Sequence, residues 1–417
     1  MTALDDRPLV ERWPDLADAP HAPVRAAAAR RIVRRAATRV DAAVVLPDGT
    51  VLGDRRLDRP TLRIHTPRFF HRVGADLRIG LGESYMAGDW DPAEGTDLAD
   101  LLTAFAARVD DLVPPALVRL RRLVEPSRPE TDRNTRAGAR ANISRHYDLS
   151  NEMFAGFLDE TMTYSAAWFD GAADSSTFGD LASAQRRKID RLLDAAHVGG
   201  GTRLLEIGTG WGQLALQAAH RGARVHSITL SREQRDLAHE RLTAAGVADR
   251  VDVEVRDYRD LEQTYDAVVS VEMIEAVGEQ FLPDYFGAVA AALVPGGRFA
   301  LQAITMPHRR VLATRHSYSW VHKYIFPGGF VPSVEQIEQH AHGAGLAPFG
   351  ERLSLRTDYA RTLRLWRERF TGGADRLETL GFDHVFRRMW ELYLAYSEAG
   401  FRTGVLDDWQ LTFRRTH

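Results

Sequence analysis

Arg203-Leu204-Leu205-Glu206-Ile207-Gly208-Thr209-Gly210-Trp211-Gly212 runs directly into Gln213-Leu214-Ala215-Leu216-Gln217-Ala218-Ala219-His220. An apolar run of strand length, a turn with three glycines and an Ala/Leu-rich helical stretch make one βα unit. Glycine belongs in such a turn because a β-carbon would block the tight backbone path or the approach of a nucleoside cofactor. Further on, VHSITL (225–230), VDVEVR (251–256), YDAVVSV (265–271) and RFALQAI (298–304) are spaced by helical segments. That alternation predicts an α/β fold with a doubly wound, mostly parallel sheet. A dinucleotide fold wants Gly-x-Gly-x-x-Gly and an acidic residue about 20 positions on to hold the ribose. Here the spacing is Gly-x-Gly-x-Gly, and the second strand ends in Thr229-Leu230-Ser231 with Gln234 beyond, which disfavours nicotinamide.

The chain has 417 residues, 44% of them hydrophobic, enough for two or three domains and a sizeable core. Lys plus Arg number 54 against 57 Asp plus Glu, so a net charge of −3 offers no global field for nucleic acid or an anionic membrane. The absence of cysteine excludes disulfides, thiolate metal sites and a cysteine nucleophile. No stretch approaches the roughly 20 apolar residues of a membrane span, and the acidic opening MTALDDRPLVERWPDL is unlike a signal peptide. The expectation is a cytoplasmic protein, peripheral to the inner face of the membrane. His308, His316 and His322 lack ligand spacing, so no metal is expected.

Before the glycine loop the texture differs. PVRAAAARRIVRRAAT (23–38) reads as a basic amphipathic helix with Val24, Ala27, Ala28, Ile32 and Val33 on one face. The β-like runs AAVVLP (42–47), TLRIHT (61–66) and ADLRIG (75–80) follow, then a helical stretch over 98–123. The reading is a smaller α+β N-terminal domain over 1–125 with a lipid-binding or dimerisation role, a polar linker over 126–141 and a catalytic domain over 142–417.

Several blocks carry more specific information. Arg145-His146-Tyr147-Asp148-Leu149-Ser150-Asn151 precedes Phe157-Leu158-Asp159 and Met162-Thr163-Tyr164-Ser165. Val271-Glu272-Met273-Ile274-Glu275-Ala276-Val277-Gly278 and Lys323-Tyr324-Ile325-Phe326-Pro327-Gly328-Gly329 come later, then Asp358-Tyr359, Thr362-Leu363 and Trp366. In this order the set resembles the cyclopropane-fatty-acyl-phospholipid synthases and mycolic acid cyclopropane synthases, strongly over 140–415 and weakly over GLGESYMAGDWD (80–91).

The resemblance implies transfer of the methyl carbon of S-adenosylmethionine to a cis double bond of a phospholipid acyl chain, forming a cyclopropane fatty acid. It implies cofactor contacts from Tyr147, Tyr164, Ser165, Glu206, Gly208, Gly210, Gly212, Thr229, Ser231, Gln234, Asp257, Tyr258 and Glu272. Glu206 stands where the adenosylmethionine-binding turn opens with an acid. The catalytic set it implies is Glu275, Tyr359, Gln302, Tyr324 and Ile304, around a bound bicarbonate that takes a proton from the carbocation. Tyr164, Tyr359 and Phe326 are candidates to steady that cation with their ring faces.

The sequence departs from the family's pattern where the anion would sit. The expected cysteine is Ala166, the histidine is Gln302 and a second cysteine is Ser397. Gln302 retains an amide donor, whereas Ala166 has no side-chain donor. A displaced base would change which proton is lost, so a methylene- or methyl-branched fatty acid stands as the alternative to the ring. A small-molecule methyltransferase and an inactive lipid-binding homologue stand further off. The partners implied are phospholipid acyl chains and no nucleic acid; a homodimer is left open, as is a reductase if the product is a methylene branch.

Overall fold

The computed structural model describes residues 9–53, 56, 59–109, 129–139, 142 and 150–416. The chain divides into two compact units. One comprises Met1–Arg128, His316–Ile325 and Trp366–Val405, and the other Pro129–Arg315, Phe326–Leu365 and Leu406–His417. The division therefore does not follow chain order as the expected boundary near residues 126–141 did. The apolar face of helix His384–Arg402, with buried Phe386, Met389, Trp390 and Tyr393, assigns that late segment to the first unit.

The first unit holds β1 (Ala43–Val45), β2 (Val51–Gly53), β3 (Thr61–Ile64) and β4 (Trp90–Pro92) in the order β2-β1-β3-β4. ADLRIG, expected as a strand, begins helix Leu77–Met86 instead. Asp76 decides this locally, because its Oδ1 accepts the N–H groups of Arg78 at 2.8 Å and Ile79 at 3.0 Å, capping the first turn. Helix Pro23–Ala37 forms as expected but buries Ala26, Ala29, Ala36 and Ala37. Ala27 and Ala28 are exposed and Val24 is 82% exposed, so the inward face is rotated from the one anticipated. Small side chains let this helix approach closely, while its arginines stay at the surface.

The second unit is built on β5 (Arg203–Ile207), β6 (Arg224–Thr229), β7 (Val251–Val255), β8 (Tyr265–Val271), β9 (Leu293–Thr305), β10 (Leu346–Pro348), β11 (Leu353–Ser354) and β12 (Asp407–Arg415). The order is β10-β12-β9-β8-β5-β6-β7, with β11 paired to β12. Strands β5 to β9 are mutually parallel where they pair, and β12 runs antiparallel to β9 and β10. Period-two alternation sends Leu205 and Ile207 of β5 into one core with Phe286, Phe299 and Phe413. Leu204 packs on the opposite face with Ile189, Leu214 and Val225. Both faces are thus covered, which explains the continuous apolar runs.

Part of the stretch expected as a polar linker is built into this unit. Asn134 Nδ2 donates to the Gly328 carbonyl at 2.9 Å, and Asn142 Nδ2 donates to Asn134 Oδ1 at 2.8 Å and to the Asp132 carbonyl at 3.1 Å. Asn134 and Asn142 are buried, so their side-chain amides bond inside the protein rather than to water.

Candidate active site

The strand order reverses between β5 and β8, and open α/β sheets bind ligands at the carboxyl ends of strands flanking such a switch point. Glu206 lies at the end of β5, and Glu272 directly follows β8. A cavity opens between them, lined by the glycine loop, the ends of β6 and β8 and the 162–165 segment.

Gly208, Gly210 and Gly212 all take left-handed φ angles, +100°, +52° and +86°. A β-carbon at Gly210 would meet no protein atom within 4 Å, whereas one at Gly212 would sit 3.0 Å from Ala238 Cβ. Gly210 therefore keeps the cavity open, and Gly212 lets the following helix pack. Gly208 and Gly210 line the cavity; Gly212 does not.

Of the other cofactor candidates, Tyr164, Ser165, Glu206, Thr229, Gln234, Asp257, Tyr258 and Glu272 line the cavity. Ser231 does not; its Oγ caps helix Arg232–Ala244 by accepting the Gln234 N–H. Tyr147 lies outside the described residues. Asp257 is already engaged, accepting from Arg259 Nη2 at 2.6 Å and Nε at 2.8 Å. Burial opposes its charge, but the Arg259 guanidinium prevails and holds its carboxyl below the usual range. Glu206 Oε2 accepts from Ser227 Oγ at 2.5 Å, yet burial dominates and pushes its carboxyl up to about 8.

Beyond the cavity floor stands a dense polar cluster centred on Glu272. This residue holds a φ of +46°, a strained geometry for a non-glycine residue that its partners enforce. Its Oε1 accepts from the Ala166 N–H and from Gln302 Nε2, both at 2.8 Å, and its Oε2 accepts from the Tyr359 hydroxyl at 2.6 Å. Lys188 is wholly buried, donates to Ser165 Oγ at 2.5 Å and attracts Glu272 and Asp408; burial lowers its ammonium to about 8. Glu275 Oε1 accepts the Ile304 N–H at 2.5 Å. Burial, then the neighbouring Glu272 charge, pushes Glu275 up to about 8.

The antiparallel register of β9 with β12 sets Gln302 opposite Gln410 and Ile304 opposite Asp408. Gln410 Oε1 accepts from Arg191 Nη1 at 2.7 Å, so its amide nitrogen faces Gln302 Oε1 at 3.1 Å. That fixes the Gln302 amide: its Nε2 donates to Glu272 Oε1 and to Asp408 Oδ2, each at 2.8 Å. Asp408 is wholly buried, and burial together with Glu272 and Glu275 raises its carboxyl well above the ordinary value.

Tyr359 and Gln302 thus bond to Glu272, and Ile304 bonds to Glu275, which feels the Glu272 charge. Tyr324 belongs to the first unit, where its hydroxyl donates to Glu83 Oε1 at 2.9 Å. Burial and the Glu83 charge raise the Tyr324 phenol strongly. Lys188, Arg259, Asp408 and Gln410 went unremarked in the sequence. Asp408-x-Gln410 sits at the start of a terminal strand beyond any glycine motif, and Lys188 is one basic residue among three in Arg186-Arg187-Lys188.

The cavity fits a nucleoside bearing a sulfonium, with open glycine backbone on one side and carboxylates at both ends. An additional bicarbonate does not fit the polar cluster. Every donor it would use is already spent on protein carboxylates: the Ala166 N–H, the Gln302 amide, the Ile304 N–H and the Tyr359 hydroxyl. A further anion would meet Glu272, Glu275 and Asp408 without compensation.

The sequence profile described as mycolic acid cyclopropane synthetase matches residues 134–411. The tuberculostearic acid methyltransferase UfaA1 of Mycobacterium tuberculosis is 52% identical over 412 residues, 97% of this chain and 96% of that protein. The cyclopropane-fatty-acyl-phospholipid synthase of Escherichia coli K12 is 33% identical, covering 85% and 87% of the two chains. Among solved structures, mycolic acid cyclopropane synthase CmaA1 complexed with SAH and CTAB superposes with a TM-score of 0.60 at 28% identity, over 69% of this chain and 99% of that one. The chain is therefore an S-adenosylmethionine-dependent methyltransferase of lipid acyl chains and belongs to the mycolic acid cyclopropane synthetase family.

Proposed function

We propose that this enzyme methylates a cis double bond in a phospholipid acyl chain and releases a methylene branch rather than a cyclopropane ring. The observation that carries this is the Gln302 amide, held between Glu272 and Asp408 so that no donor remains to seat a mobile base beside the new methyl group. The relative named for tuberculostearic acid, a methyl-branched fatty acid, supports the same outcome across 97% of the chain.

Adenosylmethionine supplies an electrophilic methyl group and leaves as neutral S-adenosylhomocysteine. Glu206, Thr229, Gln234, Asp257 and Tyr258 would hold its nucleoside, with Gly208 and Gly210 giving backbone access. Glu272, Tyr164 and Ser165 line the same cavity and would orient the reactive end. The π pair of the alkene forms the new C–C bond and leaves a cation on the adjacent chain carbon. Tyr164, packed edge-on to Phe154 with ring centroids 5.2 Å apart, offers an oriented aromatic wall for that charge.

A 1,2-hydride shift from the methylated carbon moves the charge to a tertiary centre. Loss of a proton from the added methyl then leaves an exocyclic methylene; loss of that proton before the shift would close a ring. Converting the methylene to a methyl branch needs a hydride and a proton, which a separate reductase would supply. The ring-forming outcome is the second reading, favoured by the named synthase at 33% identity.

Expression in a bacterium lacking its own acyl-chain methyltransferase, followed by lipid mass spectrometry and NMR, tests the proposal. Acyl chains gaining one CH2 with vinylidene carbons support it. Cyclopropane carbons favour the second reading, and unmodified lipid contradicts both.

A further inference from the structure

We propose that the base completing the reaction is the chain's own Glu275, acting through Oε2, and that turnover needs no bound bicarbonate. This rests on the acyl-chain chemistry proposed above and assigns its final step.

Three observations converge. First, the donors that would cradle an external anion are committed to protein carboxylates, as described for Ala166, Gln302, Ile304 and Tyr359. Second, Glu275 is anchored through one oxygen only. Its Oε1 takes the Ile304 N–H, while its Oε2 is buried and has no hydrogen-bond partner. Buried carboxylate oxygens are seldom left this way, because an orphaned acceptor forfeits its hydration. Third, Asp408 presents a second partnerless oxygen, Oδ1, on a residue with no exposed surface. Among the described residues, no group of three His, Cys, Asp or Glu side chains is arranged to hold a metal ion, so these carboxylates do not read as a cation site.

Glu275 rather than Asp408 is the acceptor because of reach. Asp408 lies wholly inside and spends Oδ2 on Gln302, whereas Glu275 sits on the short turn whose neighbours Glu272, Met273 and Ala276 line the cofactor cavity. Asp408 and Glu272 are then positioning residues. They orient Gln302, and the Glu272 charge beside Glu275 raises its affinity for a proton. In the step itself a C–H bond beside the cation breaks. Its electron pair forms the new carbon–carbon bond of the product, and the proton goes to Glu275 Oε2, giving the neutral acid. That proton returns to solvent before the next turnover.

The test measures steady-state turnover with adenosylmethionine and vesicles of an unsaturated phosphatidylglycerol, in buffer stripped of carbon dioxide and again with added bicarbonate. The wild-type rate is expected to be equal within about two-fold in the two buffers. Glu275→Gln should lose roughly 10²- to 10⁴-fold in turnover, the range of a general base, while binding S-adenosylhomocysteine within about two-fold of wild type by calorimetry. Glu275→Asp, with a shortened arm, should retain a part of the activity. A wild type that stops without bicarbonate and recovers with it overturns the assignment, and this arm does not depend on any variant folding. So does a folded Glu275→Gln with undiminished turnover. Wild type that transfers no methyl group in either buffer overturns the functional reading and the base assignment together.

Discussion

The two ends of the active site are built on different principles. The cofactor end, from Glu206 through Gly212, is seven contiguous residues whose backbone geometry does the work; three left-handed glycines and one strand end create the space. The acceptor end is assembled from the Ala166 N–H and the side chains of Lys188, Glu272, Glu275, Gln302, Tyr359, Asp408 and Gln410, which come from widely separated segments. At its three glycines a side chain would be strained by the positive φ, so that end leaves little room for substitution there. A side-chain network can exchange members while preserving its charge balance, and there the expected cysteine and histidine have given way to alanine and glutamine. Product choice can then diverge without disturbing cofactor use.

The largest effect that would sharpen this contrast is expected at the hub. Glu272→Ala leaves Lys188 buried without its nearest counter-charge and frees the Ala166, Gln302 and Tyr359 donors. Denaturant unfolding should show a loss of about 3–5 kcal/mol, as when one member of a buried ion pair is removed. An unchanged midpoint would mean that the network is ornamental.

At the cofactor end, Gly210→Val places a branched side chain in the cavity at a positive φ. S-adenosylhomocysteine affinity by calorimetry should fall by at least about tenfold, consistent with about 1–3 kcal/mol of strain plus lost space. Tyr359→Phe, at the acceptor end, should do the reverse. It removes one donor to Glu272 Oε2, costing about 1–3 kcal/mol, and should lower kcat while leaving S-adenosylhomocysteine binding nearly intact. Equal effects of both variants on binding and kcat would erase the distinction between the ends.

Proton linkage gives a finer comparison. Glu275 must be ionised to act, so kcat/KM of the free enzyme should rise with pH through about 8; Glu272→Gln removes the neighbouring negative charge and should move that rise to lower pH. For stability the sign is set by Glu206, whose folded value of about 8 lies above its ordinary 4.5. It favours the folded state below pH 4.5 and loses that contribution as pH rises through 8. Glu206→Gln, which can still accept from Ser227, should therefore raise the apo-protein Tm by roughly 3 °C at pH 8.5 and hardly at all at pH 5.

What could be read in advance follows the same division. The parallel sheet and the glycine turn were legible because strand alternation and φ requirements are written locally in the sequence. Glu275, Tyr359, Gln302 and Ile304 were legible only through resemblance, and Glu272, which binds Gln302 and Tyr359, is expected there as a cofactor contact alone. Lys188, Asp408 and Gln410 were not legible, because the β9–β12 register that sets Asp408 and Gln410 against β9 is a long-range property. ADLRIG was misjudged for a local reason: the cap supplied by Asp76 outweighs the β-like pattern after it. The linker over 126–141 looked solvated because Asn usually is, yet Asn134 is buried in the second unit, bonded to Gly328 and to Asn142 just beyond that stretch.

The most direct measurement uses adenosylmethionine carrying a ¹³C methyl group, vesicles of a cis-unsaturated phospholipid and the purified enzyme, with the extracted lipid read by ¹³C NMR. The account predicts label in an exocyclic methylene on the acyl chain. Label in a cyclopropane carbon would contradict the proposed product, and label absent from the lipid would contradict the whole functional reading.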